Sequence, residues 1–259
     1  MLSFSRGRLS YDGGLKPRPE RKFFPAFGVT GMTACPAFSE LFLKAVDESG
    51  KKMAERLYIH PVNPQNRNVL RARDLILEGA VTVLPTDSGY ALVCQQEDKK
   101  ARERILRIRE VDKNHNFTLL CADLSTISLY AHVDNTSFRL IKNNTPGPYT
   151  FILKATKEVP RKLMNEKKKT IGIRLPGNPI MRALLAELPE PVMSVSLILP
   201  GRDVAENDPD EIEGKLGNLV DLIVDGGFTA EKPTTVVSMV DSGDIQILRQ
   251  GEGDPSPFV

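Results

Sequence analysis

The chain has 259 residues, of which 41% are hydrophobic and 26% are charged, a composition typical of a globular domain with a substantial core. It contains no apolar run of about eighteen residues and no apolar leader stretch, so we expect a cytoplasmic protein without a membrane span. Three scattered cysteines and three histidines without metal-ligand spacing predict free thiols and no metal site.

The formal net charge of +2 conceals an uneven distribution of charges. Residues 99–113 carry seven lysines and arginines against three acids, and residues 138–174 carry ten against two. From residue 187 onward there are fifteen acids and only four basic residues. This segregation fits an ordinary solvated surface, and it fits equally a basic face that meets the phosphates of a nucleotide or of RNA.

The first 52 residues differ in character from the rest of the chain. They mix Gly, Pro, Arg and Phe without the periodicity of a helix or a strand, apart from a helix-like piece at 38–46. We therefore expect residues 1–52 to be a poorly ordered N-terminal extension, or an over-extension of the start site. Residues 53–259 are predicted to form one folded domain.

From residue 53 onward, strand-like and helix-like segments intermingle. The first helix is predicted at 64–78, with Asn63 as its N-cap, Pro64 in its first turn and Gly79 just past its end. Further helices are predicted at 99–109, 124–130, 136–142, 179–188 and 209–216, with a helical turn at 160–164. Strands are predicted at 57–59, 81–84, 90–94, 117–121, 149–154, 170–175, 192–197, 220–224, 235–239 and 245–248.

Some of these strands are separated by helices and others by short turns. Helical connections favour parallel neighbours, whereas short turns require antiparallel ones. The sequence therefore predicts an α/β fold built on an open, twisted sheet with mixed parallel and antiparallel strands.

Hydroxyl residues follow the strand predicted at 81–84, in the stretch LPTDSGYAL. Thr86 and Ser88 stand at alternate positions, so their hydroxyls can face one side and bind a carboxylate, a hydroxyl or a phosphate. Strand ends are also where open α/β sheets place their ligands. A hairpin turn whose hydroxyls satisfy their own backbone explains the same pattern.

Arginines stand near the ends of other predicted elements. Arg107 and Arg109 close a helix, where they can clamp phosphate oxygens or simply complement the helix dipole, and Asn116 precedes the next strand. Arg174 lies in an otherwise apolar strand, and such a charge is seldom buried without a partner. Arg174 is therefore a better ligand candidate than the lysines of the run at 167–169.

The last two candidate segments add a serine pair and one more arginine. Ser194 and Ser196 occupy alternate positions of one predicted strand, and Arg249 follows the final strand. The sequence contains no P-loop and no dinucleotide fingerprint. From the residues alone, the chain is an α/β protein whose strand ends suit an anionic ligand.

Taken together, these segments resemble one family. The stretches PTDSGYAL, HNFTLLCADL, NNTPGPYTFILK, TIGIRLPGNP, SVSLILPG, PTTVV and ILRQG have the order and approximate spacing of the YrdC family, and they are most similar to its YciO branch. The resemblance covers residues 57–251. It implies a YrdC-like sheet with a concave, positively charged cavity.

The resemblance also implies an activity. Well-understood members of the family are nucleotidyltransferases that make threonylcarbamoyl-AMP from L-threonine, bicarbonate and ATP, with Mg²⁺ carried by the nucleotide. The product serves the threonylcarbamoyl modification of an adenosine in tRNA. The protein has little covalent chemistry to perform in this reaction, so positioning and cationic stabilisation are expected to dominate.

Family positions can be carried over residue by residue. Thr86 corresponds to the amino-acid pocket, and Tyr90 to the wall of the cavity. Arg109 matches the arginine of a Lys-x-Arg motif and Arg174 that of a GxRxP strand. The full set of predicted site residues is Arg107 and Arg109 as catalytic groups and Thr86, Tyr90, Asn116, Cys121, Arg174, Ser194, Ser196 and Arg249 as substrate-binding groups.

Three positions depart from the family pattern. Arg107 replaces the lysine of Lys-x-Arg, Cys121 replaces a histidine, and Ile198 replaces the asparagine of a Ser-x-Asn motif. They predict reduced synthase activity or a different amino acid. Two alternatives remain: a protein that binds double-stranded RNA or tRNA in the concavity without robust catalysis, and a nucleotide-binding domain that regulates a partner.

Overall fold

A computed structural model describes residues 53–165, 167–241 and 243–259. The extension predicted at 1–52 lies outside the described residues. In chain order the strands are β1 (Glu55–Tyr58), β2 (Thr82–Thr86), β3 (Gly89–Gln95), β4 (Thr118–Leu120), β5 (Ala131–His132), β6 (Tyr149–Ala155), β7 (Thr170–Arg174), β8 (Val192–Ser196), β9 (Leu222–Asp225), β10 (Thr235–Asp241) and β11 (Asp244–Arg249). The helices are α1 (Asn66–Leu77), α2 (Lys99–Arg109), α3 (Leu124–Tyr130), α4 (Asn135–Asn144), α5 (Pro179–Glu187) and α6 (Pro209–Leu216), followed by a 3-10 turn at Ser256–Phe258.

Most helix starts follow from local chemistry. Aspartates 98, 123 and 134 cap α2, α3 and α4 by accepting hydrogen bonds from amides of the first turn. Asn178 caps α5 in the same way, with Pro179 in its first turn. Each cap satisfies amides that have no partner inside the helix, which fixes where the helix begins.

Within the described residues, eleven strands form one sheet with the order β1-β9-β2-β3-β8-β4-β7-β6-β10-β11, and β5 pairs with β6. Its pairs are both parallel, as in β1 with β9 and β4 with β7, and antiparallel, as in β2 with β3 and β6 with β7. The predicted mixed sheet of an α/β fold is therefore confirmed.

The two faces of the sheet carry different side chains. We call the first face the one covered by α2, α3, α4 and α6, where the larger apolar cluster lies. The second face holds a smaller cluster formed with α1 and α5. Among the described residues, that smaller cluster takes no side chain from β6, β7, β10 or β11. Because successive residues of a strand alternate between faces, Arg174 and Thr150 lie on the second face, opposite Ile173 and Phe151.

The sheet twists strongly across its width. β2 and β7 are separated by three strands, yet the hairpin after β2 contacts the loop after β7: the Gly177 amide donates a hydrogen bond of 2.9 Å to Asp87 Oδ2. The accumulated right-handed twist of neighbouring strands accounts for this approach. The hairpin of Asp87 and Ser88 therefore lies over the second face, beside Arg174.

Candidate functional site

Arg174 is the central charged group of the second face. Its residue is only 5% exposed. Its Nη2 donates a hydrogen bond of 3.2 Å to Ser88 Oγ and lies 3.9 Å from Asp87 Oδ2. Its Nε is buried and has no acceptor among the described residues. Arg174 therefore has hydrogen-bonding capacity that the fold leaves unused.

A second guanidinium lies in the same lateral row of the sheet. Val236 is in register with Arg249 on one side and with Thr150 on the other, and Thr150 neighbours Arg174 on the adjacent strand. Arg249 donates to the carbonyl of Thr234 from Nε and Nη2, at 3.1 and 3.0 Å. The row thus places two cationic groups on one face with threonine side chains between them.

Two threonine hydroxyls in this row are hydrogen-bonded to each other. The Oγ1 atoms of Thr150 and Thr234 are 2.8 Å apart, and Thr234 Oγ1 accepts a hydrogen bond of 3.1 Å from Arg249 Nη2. Thr234 can therefore donate a hydrogen bond to Thr150 Oγ1. The hydroxyl of Thr150 is then able to donate to another acceptor. We call Arg174, Arg249, Thr150, Thr234 and Ser88 the cationic row.

Burial shapes the electrostatics of the row. Burial lowers the pKa of Arg174 to about 10; Asp87 opposes this shift and Arg249 adds to it through like-charge repulsion. Arg174 therefore remains charged at neutral pH in an environment that disfavours its charge. An anion placed between the two guanidiniums would relieve that cost.

Arg109 is placed elsewhere, at the junction of α2 and β8. Its Nη1 donates a hydrogen bond to the backbone carbonyl of Ser196, and burial lowers its pKa. Its Nε has no acceptor among the described residues. Arg107, two residues earlier, is exposed. The structure thus separates the two predicted catalytic arginines, because positions two apart do not share a helix face.

Thr86, Ser194 and Tyr90 have local partners. Thr86 Oγ1 donates to the Gly89 carbonyl at 2.7 Å, and Ser194 Oγ donates to the Thr118 carbonyl at 3.2 Å. Tyr90 packs in the first-face cluster, and its hydroxyl donates to the Gly227 carbonyl at 2.8 Å. Burial raises the pKa of Tyr90 to about 12. Thr86 and Ser194 therefore shape the second face, whereas Tyr90 anchors a loop on the other side of the sheet.

The side chains of two other predicted site residues point away from the cationic row. Cys121 belongs to the first-face cluster, and burial raises its thiol pKa to about 12, so it is protonated at neutral pH. Asn116 is exposed, and its Oδ1 accepts a hydrogen bond of 3.3 Å from Asn165. The Cys121 amide donates a hydrogen bond of 2.9 Å to the Arg174 carbonyl, but the Cys121 side chain points to the opposite face of the sheet. Asn116 lies in the loop before β4.

The predicted site omits Ser88, Asp87, Thr150 and Thr234. The alternation of Thr86 and Ser88 is the available signal for Ser88, and the two side-chain oxygens are 3.4 Å apart. Nothing in the local sequence of Thr150 or Thr234 reveals that they meet, since they are 84 residues apart. Among the described residues, no group of three His, Cys, Asp or Glu side chains is placed to hold a metal ion.

The buried Arg174, with one donor unused, thus lies beside hydroxyl side chains and the exposed Arg249 on one face of the α/β sheet. Comparison with known proteins assigns the chain to a family. The Sua5/YciO/YrdC family model, described as "Telomere recombination", matches residues 74–251. The chain therefore belongs to the Sua5/YciO/YrdC family.

Individual relatives agree with this assignment. Escherichia coli YciO is 56% identical over 207 residues, which cover 80% of this chain and all of YciO, and its crystal structure superposes with a TM-score of 0.76. A putative threonylcarbamoyl-AMP synthase of Methanocaldococcus jannaschii is 29% identical over 177 residues, covering 68% of this chain and 82% of that protein. P. abyssi Sua5 complexed with L-threonine superposes with a TM-score of 0.70 at 21% identity, covering 76% of this chain and 58% of Sua5, a likeness of fold.

One further finding concerns membranes. No helix in the described part of the chain is both long enough and apolar enough to cross a bilayer.

Proposed function

We propose that the protein forms a carbamoyl adenylate from ATP, bicarbonate and an amino acid, for which family membership favours L-threonine. The observation that carries the proposal is Arg174: a buried guanidinium with an unused donor, beside the hydroxyl of Thr150 and the second guanidinium of Arg249. Carboxylates, carbamates and phosphates are the anions that such paired guanidiniums bind.

The reaction requires neutralisation and alignment of anions more than covalent participation by the protein. The amine of the amino acid condenses with bicarbonate to give a carbamate and water. A carbamate oxygen then forms a bond to the α-phosphorus of ATP, and the bond to the β-phosphate oxygen breaks, releasing pyrophosphate. Mg²⁺ bound by the phosphates would offset their charge.

In this proposal the cationic row holds the reacting anions. Arg174 and Arg249 bind the carboxylate and carbamate or the α-phosphate, and Thr150 donates a hydrogen bond to the same oxygens. Asp87 orients Arg174 from the hairpin. Arg109 acts as a positioning residue, because its bond to the Ser196 carbonyl ties the end of α2 to the end of β8.

The test is direct assay of the product. The protein is incubated with ATP, Mg²⁺, bicarbonate and a panel of amino acids, while pyrophosphate and the adenylate are followed by mass spectrometry. We expect an adenylate with at least one amino acid, and a loss of about tenfold or more in kcat/KM for Arg174→Ala, since a charge-assisted contact to the transition state is removed.

Arg139→Ala, on the exposed surface of α4, is the matched control and should retain full activity. Absence of any adenylate with every amino acid would reject the synthase proposal. If the protein bound RNA but formed no adenylate, the alternative of an RNA-binding protein without robust catalysis would be the better description.

A further inference from the structure

Arg249 receives little support from the sheet that carries it. It is the last residue of β11, which lies at one edge of the sheet and pairs with β10. Val236 is opposite Arg249 and Val237 is opposite Ile247, so β11 has one extra residue, Leu248, at this point. Such a bulge interrupts the ladder of hydrogen bonds between two strands. The position of Arg249 therefore depends on contacts outside the ladder.

The 251–258 segment supplies contacts of this kind on the first face of the sheet. It begins two residues after Arg249. The Gly251 amide donates a hydrogen bond of 2.9 Å to Thr235 Oγ1, and the same hydroxyl donates one of 2.6 Å to the Gly253 carbonyl. The side chain of Thr235 is fully buried. One threonine therefore fastens the chain twice, directly after Arg249.

Aromatic side chains hold the far end of the segment. Phe258 is only 4% exposed and packs edge-on against Tyr149 and Phe151, with ring centroids 5.5 and 6.0 Å away. The Tyr149 hydroxyl also donates a hydrogen bond of 3.2 Å to the Asp254 carbonyl. Tyr149 and Phe151 flank Thr150 on β6, and their side chains face away from the cationic row. The segment therefore contacts β6 on both sides of a row residue.

The backbone of the segment lies directly against the sheet. A Cβ at Gly253 would overlap the ring of Tyr149, and a Cβ at Gly251 would overlap the Pro233 carbonyl. The Glu252 amide donates a hydrogen bond of 2.8 Å to that same carbonyl. Two glycines thus permit an approach that any larger residue would prevent.

We propose that the 251–258 segment positions Arg249 for anion binding, with Thr235 and Phe258 as its two anchors. The inference rests on the proposed function of the cationic row. Thr150 and Thr234 each adjoin a residue that the segment contacts, and these contacts are made from the first face. The second face is therefore left open to the substrate. A guanidinium that is already ordered loses less side-chain entropy when it binds an anion.

Thr235→Val tests the inference, because it removes both hydrogen bonds to the segment and changes the side-chain volume little. The first measurement is the exchange with water of the Arg249 Nε proton, which the Thr234 carbonyl accepts at 3.1 Å. Its signal in a proton–nitrogen correlation spectrum is identified by its absence in Arg249→Lys. We expect exchange to be faster by roughly tenfold in Thr235→Val, because the guanidinium is released more often.

The second measurement is calorimetric titration with ATP. The affinity of Thr235→Val should fall by about fivefold, because Arg249 must be ordered again on binding. Thr235→Ser keeps the hydroxyl and should restore both the slow exchange and the affinity. Phe258→Leu, which loses the edge contacts of the ring but keeps an apolar side chain, should change both quantities in the same direction as Thr235→Val.

Thr82→Val is the matched control. Thr82 is as buried as Thr235, and its hydroxyl donates a hydrogen bond of 3.0 Å to the Val93 carbonyl on the neighbouring strand. This variant should keep the wild-type exchange of Arg249 and the wild-type affinity for ATP. A change equal to that of Thr235→Val would show that general loss of stability is the cause and would overturn the inference.

Three further results would also overturn it. They are the absence of the Arg249 signal from the wild-type spectrum, unchanged exchange in Thr235→Val, and unchanged ATP affinity of that variant. A wild-type protein that does not bind ATP would reject the proposed function instead. The exchange rates would then still decide whether the 251–258 segment holds Arg249.

Discussion

At the scale of single residues, burial separates the arginines by role. Arg107 is exposed, Arg109 binds a backbone carbonyl, and Arg174 is enclosed with one donor unused. An apolar strand with one internal arginine predicts the special status of Arg174 from sequence alone. The sequence does not show that Ser88 and Asp87 are its partners, because that depends on contacts made through the twisted sheet.

Arg174 should cost stability in the absence of a ligand. Its pKa is lowered on folding, so the unfolded chain binds the proton more tightly, and the charged form disfavours the folded state at neutral pH. The cost is relieved as the pH rises through about 10. We expect Arg174→Met, which keeps the volume and removes the charge, to raise Tm by roughly 3 °C or more while weakening ATP binding by about tenfold or more.

Thermal unfolding and calorimetric titration with ATP measure the two effects. Arg249→Met serves as the comparison, because this more exposed arginine pays less for desolvation and its replacement should leave Tm nearly unchanged. A lower Tm for Arg174→Met would show that its contacts to Ser88 and Asp87 outweigh the burial of its charge.

At the scale of elements, local signals locate most helices and strands, but they misplace the start of the first helix. The prediction that Asn63 is the N-cap of the first helix is wrong: α1 begins at Asn66, with Gln65 in the cap position. The His60 Nδ1 atom accepts hydrogen bonds from the Val62 and Asn63 amides, and Gln65 Oε1 accepts one from the His60 amide. This local network satisfies the amides before the helix starts.

The hairpin between β2 and β3 depends on its glycine. Gly89 has φ +91°, and a Cβ at this position would lie 2.5 Å from the Cβ of Ala205. We expect Gly89→Ala to destabilise the protein by about 2 kcal/mol or more, because a left-handed backbone and a steric clash act together. Urea unfolding provides the measurement.

Gly201→Ala is the control for the hairpin prediction. Gly201 also has a positive φ, +76°, but no heavy atom of the described residues lies within 4 Å of the position that a Cβ would occupy there. The variant should therefore lose only the backbone contribution, about 1 kcal/mol. Equal losses at the two positions would mean that the contact with Ala205 relaxes freely.

At the scale of the whole molecule, the sheet separates two kinds of positive charge. The cationic row on the second face combines the buried Arg174 with the exposed Arg249, whereas exposed lysines and Arg161 line a pocket of about 550 Å³ between α2 and the loops that precede β4 and β7 on the first face. The segregation of charge seen along the chain persists in the fold. Acids that follow residue 187 pair with cations such as Lys215 and Lys232, whereas Lys113, Arg161, Lys162 and Lys167 have no carboxylate partner among the described residues.

The sequence by itself determined the α/β class, the mixed sheet, nearly all helices and strands, and the family. These depend on periodicity, caps and ordered motifs, which are set by near neighbours in the chain. Only the tertiary structure decided that Arg174 meets Ser88, 86 residues away, that Tyr90 and Cys121 lie on the other face, and that loops from two segments line one pocket. The physical reason is that neighbouring residues of a strand face opposite sides of the sheet. In addition, the twist of the sheet brings segments that are distant in the chain into contact.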